Sequence, residues 1–508
     1  MLSLLHNTIK NVIFSRGKGE STIGNSNSKY SILATTLSLV EKREVSRIIR
    51  KRQRYYLPGL SKKEILRRKR FAKSIIKKIN RKISKKRPEP LPKKILSIRR
   101  KKSEFLSSFL PERDAIWKPV TKRDREIHEI NLENFSILDN SKQTIESLIE
   151  IAQAETKWLG FKINFSDTTC EDITPYLILG LMRQDMAPVV SGGHITPAVT
   201  GMVDAVGLND LLSITHIQRR HISPTFLPFR VRYRRKTGTS TSTNIALQPS
   251  TREALTDELI NTVDNWLRQL VQRELNRDGK GHLSAIVGEI LNNAERHSDM
   301  LGRDGDWAIA GFLTAVVEDE TTGKTKYVCC LSIISLGATI ADSISKCEDE
   351  KTLEYLNQYI DKHHKTTGMS KECLASVYAL QDGVSRFQQD ATGDRSRGGV
   401  GMMDMVQFVG ALGCLGPDDK PAEITILSGE ACINIRKPHF EVVFDCVERN
   451  DRREIWFNPS NNIAVPPEPA YVYSMPVRFP GTAVAMRFCI NPSSPEAEDG
   501  SKGNEKRD

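Results

Sequence analysis

No stretch of about 18 or more strongly apolar residues exists in these 508 residues. The longest uncharged run, Met186 to Val203, is interrupted by Pro188, Gly192, Gly193, His194 and Pro197. A membrane span is excluded on that ground. The first twenty residues lack a compact apolar core followed by a small-residue cleavage site, so a secretory leader is not expected. None of the nine cysteines (170, 329, 330, 347, 373, 414, 432, 446 and 489) forms a C-x-x-C pair. A thiolate zinc site normally needs two ligands on one short turn, so none is expected. Cysteines set among apolar neighbours, as in VCCLSII and FCI, are instead expected to be reduced core residues of a cytoplasmic protein. Aromatic residues make up only 6%. In the most basic stretch just Tyr55, Tyr56 and Phe71 stand among the cations, too few for a base-stacking platform.

What is present is an ordinary globular composition, 39% hydrophobic and 27% charged, with length for two to four domains at roughly 150 residues each. The net charge of +13 conceals two opposite halves. Residues 41–110 carry 27 Lys+Arg against 5 Glu, whereas residues 111–508 carry 44 basic against 56 acidic residues. A basic arm therefore precedes an acidic body, and a polyanion, DNA or RNA, is the partner its charge suits.

Inside the arm, SKKEILRRKRFAKSIIKKINRKISKK places Ile65, Leu66, Ala72, Ile75, Ile76, Ile79 and Ile83 at about a 3.6-residue period, so an amphipathic helix is expected. Ser61 and Glu64 have capping-box spacing at its start, and Pro88, Pro90 and Pro92 end it. A second basic segment, KKILSIRRKKSEFLSSFL, is expected to pair with the first through Ile95, Ile98, Phe105 and Leu106.

Six regions follow from these shifts: a flexible N-terminus (1–40), the arm (41–110), a helical connector (111–155), a small α/β module (156–222), a larger α/β domain (223–490) and a polar tail (491–508). In the small module GFKINF reads as a strand and TPYLILGLM as a helix with Pro175 at its first position. With VDAVGLNDLL, this pattern resembles the STAS-like modules found beside some bacterial nucleotide-binding domains.

The larger domain opens with TREALTDELINTVDNWLRQLVQREL, whose Leu255, Leu259, Val263, Trp266, Leu267, Leu270 and Val271 form one helical stripe. Next are expected a helix HLSAIVGEILNNAERHS, strands WAIAGFLTAVVED and KYVCCLSIIS, helices near 351–380, a glycine-rich stretch, and strands EITILSGE, ACINIR and AVAMRFCI. The pattern predicts an α/β sandwich with helices on one face of the sheet.

Within this domain, Glu289, Asn293 and His297 lie at i, i+4 and i+8 of one helix. A carboxylate can take a proton from water and an amide oxygen can bind Mg²⁺, so the spacing suits metal-assisted hydrolysis. Farther on comes Arg397-Gly398-Gly399-Val400-Gly401-Met402, whose glycines let backbone N–H groups approach phosphate oxygens. Pro480-Gly481-Thr482 opens the last strand. In this order the motifs resemble the GHKL ATPase superfamily, which includes type II topoisomerase subunits, ATP-dependent chaperones, MutL-type repair proteins and sensor histidine kinases. The resemblance covers roughly residues 250–490 and implies a Bergerat-type ATP-binding fold with ATP and Mg²⁺ as cofactors.

By that resemblance Glu289 is the general base, Asn293 the Mg²⁺ ligand and His297 the end of the first motif. Arg397, Gly398, Gly399, Val400, Gly401 and Met402 form the phosphate lid, and Thr482 lies near the adenine. The third motif departs from the pattern. Ser335-Leu336-Gly337-Ala338-Thr339 stands where D-x-G-x-G is usual, so Ser335 replaces the adenine-binding carboxylate and Thr339 a glycine. A neutral acceptor in place of a charged one weakens that bond by about 1 kcal/mol.

The function implied is an ATP-hydrolysing conformational switch, acting with a nucleic acid, as a homodimer or with a partner protein. One alternative is a serine/threonine kinase of the anti-sigma-factor type, with Ser166, Thr168 or Thr169 as acceptors. Another is a nucleotide-sensing scaffold that does not hydrolyse. His128 in REIHEINLENF is only a loose candidate for a phospho-acceptor, and His363 and His364 read as a solvated helix end.

Overall fold

The computed structural model of the chain describes residues 103–113, 128–157, 160–214, 226–234, 252–272, 306–319, 324–385, 401–413, 422–449 and 451–490, scattered positions between 274 and 291, and Ser61, Leu66 and Arg70. The chain forms two compact units, 1–91 with 121–123, and 92–120 with 124–508. Every described residue except Ser61, Leu66 and Arg70 belongs to the second, which is mixed α/β.

Two sheets organise this unit. A three-stranded parallel sheet runs β1 (His128–Leu132), β2 (Phe161–Phe165), β3 (Val190–Gly192). Its crossovers are α2 (Ile137–Lys157) between β1 and β2 and α3 (Thr174–Asp185) between β2 and β3. In β2 the alternation of buried Phe161, Ile163 and Phe165 with half-buried Lys162 and Asn164 gives one apolar and one polar face. Pro175 opens α3, where its missing N–H costs no hydrogen bond. The parallel sheet starts at β1, upstream of residue 156, so part of the expected helical connector is a strand.

The second sheet is antiparallel with five strands in the order β4 (Phe226–Arg234), β5 (Asp306–Asp319), β6 (Lys324–Leu336), β8 (Val472–Ile490), β7 (Glu423–Ile435). The segments EITILSGE and ACINIR are one strand, because the chain passes Gly429 on a register shift without turning. On one face lie Trp307, Ile309, Cys329, Ile333, Ile424, Ile426, Val484 and Met486. Against them pack α6 (Arg252–Val271), the helical residues Leu283, Val287 and Leu291, α9 (Lys371–Ala379) and α10 (Gly401–Gly413). The predicted stripe of α6 is the buried one at Leu255, Leu259, Val263, Trp266 and Leu267.

The opposite face was expected to be free of helices, and it is not. Ala308, Phe312, Cys330, Ile334, Ala483, Ala485 and Cys489 join one core with α1 (Glu104–Phe109), α2, α3 and α4 (Pro197–Val206). Strands β5, β6 and β8 are apolar on both faces, so a second cover is what burial of that surface requires. Phe105 and Leu106, expected to pair with the first basic helix, are buried here instead. Phe105 and Phe109 meet Phe479 of β8 edge to face, each at 6.3 Å. Among the described residues, no helix is long and apolar enough to cross a membrane.

Candidate functional site

The end of β6 carries Ser335, and strand register sets it opposite Thr482 of β8; Ser428 of β7 lies opposite Thr482 on the other side. Side chains alternate along a strand, and Ser335 shares parity with Ile333, Thr482 with Val484, and Ser428 with Ile426. All three hydroxyls therefore sit in one row on the face covered by α6, α9 and α10. Ser428 Oγ and Thr482 Oγ1 are 2.8 Å apart, and Ser335 Oγ donates to the Thr482 carbonyl at 3.5 Å. Ser428 is buried, while Ser335 and Thr482 are half-buried.

Two glycines make this row possible. Gly337 has φ 132° and donates its N–H to the Pro480 carbonyl at 3.1 Å, tying the β6 turn to the start of Pro480-Gly481-Thr482. At Gly481 φ is 137°, and a Cβ there would stand 2.0 Å from the Ser335 carbonyl oxygen. Only glycine lets these backbones approach so closely.

Thr339 is the N-cap of α7 (Ile340–Ile344), closed by a capping box with Asp342. A β-branched residue stands here without strain, since Thr339 keeps an extended φ of −80°. The first N–H of α7, on Ile340, is taken by Ser428 Oγ at 2.8 Å. Below this turn Arg478 bonds Asp342 at 2.6 Å and Glu372 at 3.0 Å. Glu372, at the start of α9, also accepts from Thr339 Oγ1 at 3.3 Å and from the Glu430 N–H at 3.1 Å. Burial pushes the Asp342 carboxyl up, but its bonds from Arg478 and Thr339 outweigh that and hold it below the usual carboxylate range.

Of the residues expected from sequence, Ser335, Gly337, Thr339 and Thr482 therefore converge at one end of β6 and β8. Gly401 begins α10, which packs on β8 and β7, with Met402 half-buried against the same core. Glu289, Asn293, His297, Arg397, Gly398, Gly399 and Val400 lie outside the described residues, although Val287 and Leu291 flanking Glu289 are buried. Ser428, Glu372, Asp342 and Arg478 had no sequence signal, because their contacts join segments far apart in the chain. Among the described residues, no cluster of His, Cys, Asp and Glu could hold a metal ion.

The chain matches no protein-family model, no curated protein and no solved structure. The arrangement is thus read from its own chemistry. A hydroxyl that donates to a backbone carbonyl keeps lone pairs for an incoming N–H, and a half-buried site strengthens that bond.

His363, expected at a solvated helix end, is instead buried. Its ring packs edge-on against Tyr359 and its Nε2 meets the Ile463 carbonyl at 2.9 Å. His364 Nδ1 meets the Met369 carbonyl at 2.7 Å.

Proposed function

We propose that this chain binds ATP on the face of the antiparallel sheet covered by α6, α9 and α10, in a Bergerat-type pocket, and hydrolyses it with Mg²⁺ as a conformational switch. The observation that carries the reading is the Ser335–Thr482–Ser428 row. Two residues from separate motifs, 147 positions apart, meet at the same register on neighbouring strands, where the GHKL resemblance requires an adenine-binding pair. Ser335 and Thr482 would hold the base edge. Glu289 would accept the proton of the attacking water and Asn293 would bind Mg²⁺, with Gly398, Gly399 and Gly401 at the phosphates. A hydroxyl can donate as well as accept, so Ser335 discriminates between an amino and a carbonyl edge less sharply than a carboxylate does. The 41–110 arm would place a polyanion, DNA or RNA, under control of the cycle, with affinity that falls steeply between low and moderate salt.

The test is ATP turnover and ATP binding by wild type and by Glu289→Ala, with transfer of radiolabel to protein followed in the same samples. Turnover lost in the variant while binding persists supports the switch. Label retained on the protein would instead make the chain a kinase. Failure of the wild type to bind ATP would leave a scaffold without hydrolysis.

A further inference from the structure

The helices α8 (Glu350–Thr367) and α9 form a hairpin turned by Gly368 in the left-handed conformation, and the segment 451–471 passes back across it, Ile463 bonding His363. Between them lies a cavity of about 500 Å³, within the range of small-molecule sites. Its wall is aromatic. The rings of Tyr359, Tyr378 and Trp456 sit 5.3 to 6.1 Å from one another, and Tyr355, 60% exposed, stands at the mouth.

The polar groups of the wall divide into spent and unspent. Glu454 accepts from Trp456 Nε1 at 3.0 Å and pairs with Arg452 at 3.6 Å. His363 is held by the Ile463 carbonyl and Gln381 by backbone groups of Val377 and Ile455. The Tyr359 hydroxyl, on a residue only 4% exposed, has no hydrogen-bond partner among the described residues. A buried hydroxyl without a partner is costly, and this one lines a cavity of ligand size. Burial also pushes the pKa of the Tyr359 hydroxyl up from the usual phenol range, so it stays a donor at physiological pH. Lys362 and Arg452 against Glu454 give the wall one excess positive charge. That charge disfavours a cationic ligand in an aromatic cage and favours an anion.

We infer that this cavity binds a flat heteroaromatic ligand carrying an acidic group, of purine mononucleotide size. Tyr355 offers an open stacking face at the mouth, backed by the buried Tyr378 and Trp456 rings, which suits any planar base. Tyr359 supplies a hydrogen bond to the ring edge, while the Gln358 amide is already held by Glu354 at 3.1 Å, and Lys362 with Arg452 receives the phosphate or carboxylate. The site shares no residue with the Ser335–Thr482–Ser428 row and does not rest on ATP binding there.

The experiment uses the full chain, adenosine 5′-monophosphate as titrant and its 8-azido derivative as photolabel, with labelled peptides mapped by mass spectrometry. Label is expected on peptides from 350–367 or 452–464. Lys362→Ala and Tyr355→Ala, both at the cavity mouth, are expected to weaken binding at least tenfold with unchanged circular dichroism. Tyr359→Phe, which removes only the hydroxyl, is expected to weaken it several-fold. Adenosine without phosphate is expected to bind at least tenfold more weakly than the monophosphate; equal affinity would overturn the acidic-group assignment. Absence of label from both peptides, or variants within twofold of wild type, would overturn the site. Label confined to peptides containing Ser335 or Thr482 would overturn it while supporting the ATP reading, and label here without ATP turnover would do the reverse.

Discussion

At the scale of single residues, position in the packing decides which side chains respond to pH. His439 is 6% exposed, its ring 4.8 Å from that of Phe457 and 4.5 Å from that of Tyr471, and its Nδ1 accepts the Arg436 N–H at 3.0 Å. Burial, aided by the Arg436 charge, lowers its pKa from 6.5 to about 4. The folded chain therefore keeps His439 neutral where the unfolded chain protonates it. Between those two values the unfolded state binds more protons, so stability rises with pH across the window and is lost as pH falls through it. The effect amounts to roughly 3 kcal/mol at its limit. His439→Gln, which keeps a side-chain acceptor for the Arg436 N–H, is expected to flatten the urea-midpoint profile between about pH 4 and 6.5 relative to wild type. Parallel profiles for the two proteins would show that His439 does not titrate differently on folding. The same distinction between sequence and packing separates His363 from a solvated histidine: its neighbours in YIDKHHKTTG are polar, and its burial comes from Ile463, 100 residues away.

At the scale of elements, one arginine joins two of them. Arg453 bonds Asp382 just after α9 at 2.7 Å, Asp404 of α10 at 2.7 Å and Gln407 of α10 at 2.8 Å, with both carboxylates and the guanidinium largely shielded from water. Arg453→Ala leaves two shielded carboxylates without a partner and is expected to cost about 3–5 kcal/mol. Arg449→Ala, at a solvent-exposed pair with Asp451, is expected to cost under about 1 kcal/mol. Urea midpoints at constant slope measure both; equal losses would show that the Arg453 cluster does not fasten α9 to α10. Such links explain what was legible in sequence. The stripe of α6, the proline start of α3 and strands β5, β6 and β2 were legible because periodicity and propensity are local. Ser335 and Thr482 were legible as motif positions, whereas Ser428, Glu372 and Arg478 were not, since pairing across β6, β8 and β7 is what unites them. The passage of β7 through Gly429 was hidden for a related reason: a glycine between two apolar runs reads as a turn, and only the neighbouring β8 shows that it is a shift in register.

At the scale of the whole molecule, the antiparallel sheet has two apolar faces and needs two covers. The 103–212 layer supplies one of them, and it is fastened by Arg487, which projects from β8 at 1% exposure. Its guanidinium bonds Asp139 of α2 at 2.7 Å, Glu171 before α3 at 3.4 Å, and Glu423 of β7. Burial works against the charge, but these carboxylates outweigh it and raise the guanidinium pKa further. An ion cluster shared by both layers, on a surface of Phe312, Ile334, Ala483 and Cys489, ties the N-terminal cover to the sheet, so the two are expected to unfold together. A fragment that begins at residue 223 keeps the α6–α10 cover and loses the other, so it is expected to bind a hydrophobic dye strongly and to aggregate, although it contains the whole stretch that resembles a GHKL domain. Co-expression of 92–222 as a separate chain is expected to restore solubility, and Arg487→Ala in the fragment to abolish that rescue. A soluble fragment that does not bind dye would show that the sheet is complete with one cover, and would sever the proposed nucleotide site from the N-terminal layer.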